Sequence, residues 1–296
     1  GRVSRKNRTD IAGVPAMTYR TVLLHLQDNP RSAACDAYAA KLARTFQAKL
    51  LGLCCHLPAP WPGHTPAPMI GMDPIAADFK RAEDRAMGLE AEFDKQCRVA
   101  GLESHELVRD VIEPAAAITA HALGADLVIL GQPDPDDADY QEHRALVETV
   151  LQECARPVLV VPYAGHFEPD FGTVLVAWDD SVEAARAATA ALPLIRRARS
   201  VHLVHLRQPG HGDTTHLQAS VDRAAIWLAC HGFEVQGRVS TNALPVGEAL
   251  LSELADTGAN LLVMGAWGRS RLVERLLGGA TRQLVDSMTA PVLFAH

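Results

Sequence analysis

The stretch Gly124-Ala-Asp-Leu-Val-Ile-Leu-Gly131 returns as Gly258-Ala-Asn-Leu-Leu-Val-Met-Gly265, and Arg156-Pro-Val-Leu-Val-Val-Pro162 returns as Ala290-Pro-Val-Leu-Phe-Ala-His296. The separation from Gly131 to Pro157 and from Gly265 to Pro291 is the same 26 residues. Chance similarity of apolar runs does not conserve a spacing, so the halves read as a tandem duplication. In both copies a short Leu- and Val-rich run, framed by glycine, alternates with helical patterning. That is the signature of βαβ units around a buried parallel sheet.

Working outward, the second copy predicts strands near Thr173–Ala177, Val201–Leu206, Glu234–Val239, Leu261–Met264 and Val292–Ala295. Helices are expected between them, near Val182–Arg197, Leu217–His231, Val246–Thr257 and Ala280–Ser287. The first copy predicts strands near Thr21–Leu26, Leu50–Cys55, Glu106–Val111, Leu127–Leu130 and Val158–Val161, with helices near Ala33–Gln47, Ile75–Ala100, Ala115–Leu123 and Ala145–Cys154. Five strands per copy joined by right-handed crossovers give an α/β fold: two tandem doubly wound domains, each a five-stranded parallel sheet flanked by helices. The ligand crevice of such a domain lies beyond the strand carboxyl ends, at the switch point.

The expected domains are 17–163 and 173–296, with 164–172 as linker; the whole stretch Tyr163–Gly172 lacks a strong pattern. Residues 1–16 are basic, lack hydrophobic periodicity and read as a disordered leader or an added remnant. Val22 to Leu130 spans 108 residues and Val174 to Met264 spans 90; the excess of 18 falls in the Pro-rich segment Leu57–Pro74, a long loop or flap.

A length of 296 residues suits two cores, and 48% apolar with 21% charged residues at a mean hydropathy near zero excludes a disordered or coiled-coil chain. No run approaches the length of a bilayer crossing and no secretory segment is recognisable, which predicts a cytoplasmic protein with no membrane partner. A formal charge of −7 argues against nucleic acid as a partner. Six cysteines without CxxC or metal spacing read as reduced thiols.

The chemistry concentrates in the second copy. After its fourth strand come Met264-Gly265-Ala-Trp-Gly268, nine residues, then Gly278-Gly279-Ala280-Thr281 opening the last helix. Glycines let the backbone approach an anion, and free N–H groups at a helix start hold phosphate oxygens. Arg269, Arg271, Arg275 and Arg282 surround this segment against one acid, Glu274. Arg269 is the arginine expected to touch phosphate, and Thr281 could add a hydroxyl. No Ser/His/Asp set, paired catalytic carboxylates or P-loop is recognisable, so no catalytic residue is assigned.

These residues resemble the universal stress protein family, specifically a tandem member with the family's G-x2-G-x9-G-(S/T) nucleotide motif in its second domain; the likeness runs from Tyr19 to His296. The resemblance implies an adenine nucleotide alpha hydrolase-like fold and ATP, with Mg²⁺, lying across the strand carboxyl ends. Asp179, within Ala177-Trp178-Asp179-Asp180-Ser181, takes the place of the aspartate that serves adenosine. Leu206 offers backbone to the base, and Met264, Gly265, Gly268, Gly278, Gly279, Ala280 and Thr281 line the phosphate side. The chain departs from the motif at Gly279, where Ser or Thr is usual, losing a hydroxyl donor worth about 0.5–1.5 kcal/mol. Trp178 and Trp267 either stack on adenine or narrow the pocket. The family also pairs domains through the last strand, so Val158–Val161 and Val292–Ala295 are expected to join the copies as a pseudo-dimer.

In the first copy Gln27 stands for the aspartate, and Asp134, Arg144 and Ala145 stand for Gly268, Gly278 and Gly279. Asp134, Asp136, Asp137 and Asp139 would place four carboxylates where phosphates would lie. The expected function is a stress-response regulator that binds ATP in its second domain, acts through conformation or an unknown protein partner, and hydrolyses ATP weakly at most. The alternatives are a dimeric interaction scaffold that binds no nucleotide and a slow phosphohydrolase.

Overall fold

The leucine- and valine-rich runs are buried on both faces, and each is a strand. The computed structural model describes residues 18–29, 31–55, 72–210, 214–266 and 279–296. The first half runs β1 (Thr21–His25), α1 (Ser32–Phe46), β2 (Lys49–Cys55), α2 (Met72–Ala100), β3 (His105–Asp110), α3 (Pro114–Ala122), β4 (Leu127–Gly131), α4 (Tyr140–Glu153) and β5 (Val158–Val161). The second runs β6 (Thr173–Ala177), α5 (Val182–Ala190), α6 (Leu192–Ile195), β7 (Ser200–Arg207), α7 (Thr215–Cys230), β8 (Val235–Thr241), α8 (Val246–Thr257), β9 (Leu261–Gly265), α9 (Gly279–Ser287) and β10 (Val292–Ala295).

One ten-stranded sheet has the order β3-β2-β1-β4-β5-β10-β9-β6-β7-β8. Pairing is parallel within each half and antiparallel at the single junction between β5 and β10. There Leu159 faces Leu293, flanked by Val160 opposite Val292 and Val158 opposite Phe294. Leu159 and Leu293 occupy the same place in their copies, as Pro157 and Pro291 do, so the junction carries a local two-fold relation. Each face of the sheet is covered by one apolar cluster containing residues of both halves: Val22, Leu24, Leu159, Val174, Val176 and Leu293 on one, Leu23, Val158, Val160, Leu175, Val292 and Phe294 on the other.

Two helices depart from expectation. The helix expected over Val182–Arg197 is broken: α5 ends at Ala190 and the short α6 begins at Leu192, with Pro193 in its first turn. Proline has no N–H for the ladder and its ring opposes the carbonyl of the preceding turn. Helix α4 begins at Tyr140 and not at Ala145, because the preceding loop is already tightly turned: Asp134 accepts from the Asp136 N–H at 3.1 Å and Asp137 from the Asp139 N–H at 3.2 Å. The segments 1–17 and 56–71, which hold the expected leader and most of the expected flap, lie outside the described residues. All six cysteines are free thiols, and no described helix is long and apolar enough to cross a membrane.

Candidate functional site

Strand order reverses beside β1 and β4 in the first half and beside β6 and β9 in the second, so each half has one switch point at the strand carboxyl ends. In the second half β6 delivers Trp178, Asp179 and Asp180 to that point. Asp179 is exposed; its Oδ1 accepts the Ser181 N–H at 3.1 Å and the Ser181 hydroxyl. Ser181 Oγ accepts the Ala184 N–H at 3.0 Å as the N-cap of α5. The carboxylate is thus oriented by the helix it precedes and has no cationic partner among the described residues.

Asp180 adopts the left-handed region at φ 63°, where Asp is tolerated better than most residues. Its Oδ1 accepts the Ser220 hydroxyl at 2.6 Å, and Ser220 Oγ accepts the Trp178 indole N–H at 3.0 Å. This chain ties the β6 turn to α7 and packs the Trp178 indole on the core, which commits that ring structurally. Asp180 and Ser220 were not picked out in the sequence; the Asp-Asp-Ser run was the only hint, because Ser220 lies 40 residues away.

On the other side of the switch point, a Cβ on Gly265 would lie 2.7 Å from the Ala184 nitrogen and from the Glu183 carbonyl carbon. The glycine is required by the first turn of α5, which presses directly on β9. Met264 is buried with its side chain in the core and its backbone in the ladder between β9 and β10, and Ala177 and Leu206 pack half-buried against the same cluster. Helix α9 starts at Gly279, which is exposed and whose Cβ would meet none of the described residues within 4 Å; Ala280 is half-buried and Thr281 is buried. The expected ligands Gly268, Arg269 and Gly278, and Trp267, lie outside the described residues.

The first switch point is closed by its own side chains. His25, Gln27 and Asp134 are all buried there. Gln27 sets its amide oxygen where a Cβ on Gly131 would stand, and that oxygen also accepts from Asn29 at 3.3 Å. Arg31 pairs with Asp134 at 3.1 Å, and its guanidinium lies 5.1 Å from the centre of the Tyr163 ring. Burial, reinforced by nearby His143, pushes the His25 pKa down to about 4. The four carboxylates expected in this crevice are therefore only in part a solvated loop. Asp134 is neutralised by Arg31, Asp137 lies 3.4 Å from His143 Nδ1, and only Asp136 and Asp139 remain exposed. Among the described residues no three His, Cys, Asp or Glu side chains converge as a metal site.

Two doubly wound parallel halves joined edge to edge, each with one switch point, define the class of α/β fold to which the chain belongs. Within it, residues 170–296 match the Universal stress protein family (Usp). A universal stress protein from Archaeoglobus fulgidus DSM 4304 is similar in structure, with 18% identity and a TM-score of 0.71 over 93% of this chain and 95% of that one. A functionally unknown protein from Pseudomonas aeruginosa PAO1 is similar at 16% identity and a TM-score of 0.55, covering 94% of this chain and 92% of that one. At these identities the likeness is one of fold. No curated protein sequence matches the chain.

Proposed function

We propose that the chain is a two-domain universal stress protein of the cytoplasm whose second domain binds ATP as its magnesium complex, with occupancy setting conformation or partner choice in a stress response. One observation carries the reading. At the second switch point an exposed, oriented carboxylate, Asp179, with no cationic partner among the described residues, stands where the first half has buried Gln27. The remaining described groups fit the same ligand. Asp179 supplies an acceptor for the sugar hydroxyls, and the first N–H groups of α9, beginning at the unobstructed Gly279, suit phosphate oxygens. Magnesium would arrive on the phosphates, since the described residues offer no cluster of their own.

ATP should raise the melting temperature of the full chain, because a ligand at 100 times its dissociation constant adds about 2.7 kcal/mol to stability. The shift should vanish in a Gly268→Asp, Gly278→Arg variant, which writes the first copy's residues into the second. No shift at millimolar ATP defeats the proposal and leaves the scaffold that binds no nucleotide; a shift that survives the double variant moves the site elsewhere.

A further inference from the structure

Helix α9 has nine residues, too few to be stable alone in water, so packing must set its position. Its neighbouring helix is α8 of its own half, to which Gln283 donates at Glu248 over 2.8 Å, but a set of polar contacts reaches α9 from the other half of the chain. Arg144, which stands where the second copy has Gly278, reaches out of its own domain: Nη2 lies 3.1 Å from Asp286 Oδ2 on α9 and Nε lies 3.4 Å from Glu148 Oε1. Glu148 Oε1 in turn lies 3.3 Å from Arg282 Nε, and the Tyr140 hydroxyl donates to Asp286 Oδ1 at 3.2 Å. Glu148 and Arg282 are equivalent positions of the two copies, so the duplication has put opposite charges where a symmetric pair would set like against like.

Below these pairs, the buried Gln132 donates through Nε2 to the Val285 carbonyl at 2.8 Å. That carbonyl is in the last turn of α9, where the helix offers no N–H of its own. Gln132 Oε1 also accepts the Tyr163 N–H at 3.2 Å, tying the end of α9 to the start of the linker. The pairs are partly withdrawn from water, with side-chain exposures of 22% for Arg144, 16% for Glu148, 34% for Asp286 and 38% for Arg282, so they are screened less than surface pairs.

We propose that the first half is a positioning clamp for α9, in which Arg144, Glu148 and Gln132 hold the helix through Asp286, Arg282 and Val285 and so limit how it can shift as a body. Arg144, which stands where the second copy has Gly278, is on this account the residue through which the first copy holds the second copy's last helix. The consequence for ligand affinity rests on the nucleotide reading above; the hold on α9 does not.

The test uses the full chain carrying Arg144→Ala, Asp286→Ala, both, or Arg144→Lys. Without ligand, amide exchange in 279–287 should quicken about threefold to tenfold in each alanine variant relative to α1, and the double variant should be no faster than either single. MgATP affinity should weaken by a similar factor, and Arg144→Lys, which keeps a charge opposite Asp286, should recover most of both. Unchanged exchange in 279–287 overturns the clamp, and quickened exchange with undiminished ATP affinity overturns its link to the site. If the parent chain shows no response to ATP, the nucleotide reading falls and exchange alone decides the clamp.

Discussion

Replacing Gly265 and Gly279 by alanine, one at a time, should give opposite results, although both belong to the same glycine constellation. At Gly265 the new methyl would stand 2.7 Å from two backbone atoms of α5, where ordinary contact begins near 3.4 Å. Helix α5 must retreat by roughly 0.7 Å, and overpacking of this kind costs about 1–3 kcal/mol. The lower entropy of the unfolded alanine chain offsets about 0.4–1 kcal/mol, which leaves a net loss of up to about 2.6 kcal/mol, centred on about 1.3 kcal/mol. The retreat also pulls on Ser181, which both caps α5 and holds Asp179, so ATP affinity should drop with stability. At Gly279 the methyl meets none of the described residues within 4 Å, and alanine should stabilise the helix by up to about 1 kcal/mol. Urea unfolding midpoints of the two variants measure the contrast. A Gly265→Ala chain as stable as the parent would refute the packing argument.

Serine at position 279 has the same open space and restores a hydroxyl donor, so Gly279→Ser should tighten MgATP binding about twofold to tenfold by calorimetry; no gain would show that phosphate oxygens do not lie at this helix start. Asp36, buried on α1, has its pKa pushed up to about 7, first by burial and then by Glu92. The folded chain therefore holds a proton that the unfolded chain releases near pH 3.9, so stability declines as pH rises from about 4 to 7 and then levels. Asp36→Asn should remove that decline and be more stable than the parent at pH 8 by a few kcal/mol, on the order expected for a buried carboxylate; equal urea midpoints at pH 8 would contradict it.

The sheet was legible because its strands are punctuated. Thr173–Ala177 follows Gly172, and Val158–Val161 and Val292–Ala295 each follow a proline; these three segments appear as expected, as does α8 at Val246–Thr257 after Pro245. The break at Pro193 was visible too, but the helical periodicity on either side of it outweighed one residue. The start of α4 depended on Asx turns inside an acidic loop, which read instead as a carboxylate field.

The site was legible only in part. Asp179 follows β6 and Gly279 opens α9, whereas the closure of the first crevice depends on Arg31 meeting Asp134 across more than 100 residues of chain. Sequence shows both residues and nothing of their contact. The packing role of Gly265 was hidden for the same reason: what excludes a side chain there is the backbone of α5, about 80 residues earlier.

The most direct measurement of the central claim is the stoichiometry of MgATP binding to the full chain by isothermal titration calorimetry. A second switch point that presents Asp179 and a first one closed by Arg31, Asp134 and Gln27 predict one nucleotide per chain, lost on Gly268→Asp, Gly278→Arg substitution. Two nucleotides per chain, or none at millimolar concentration, would contradict the account.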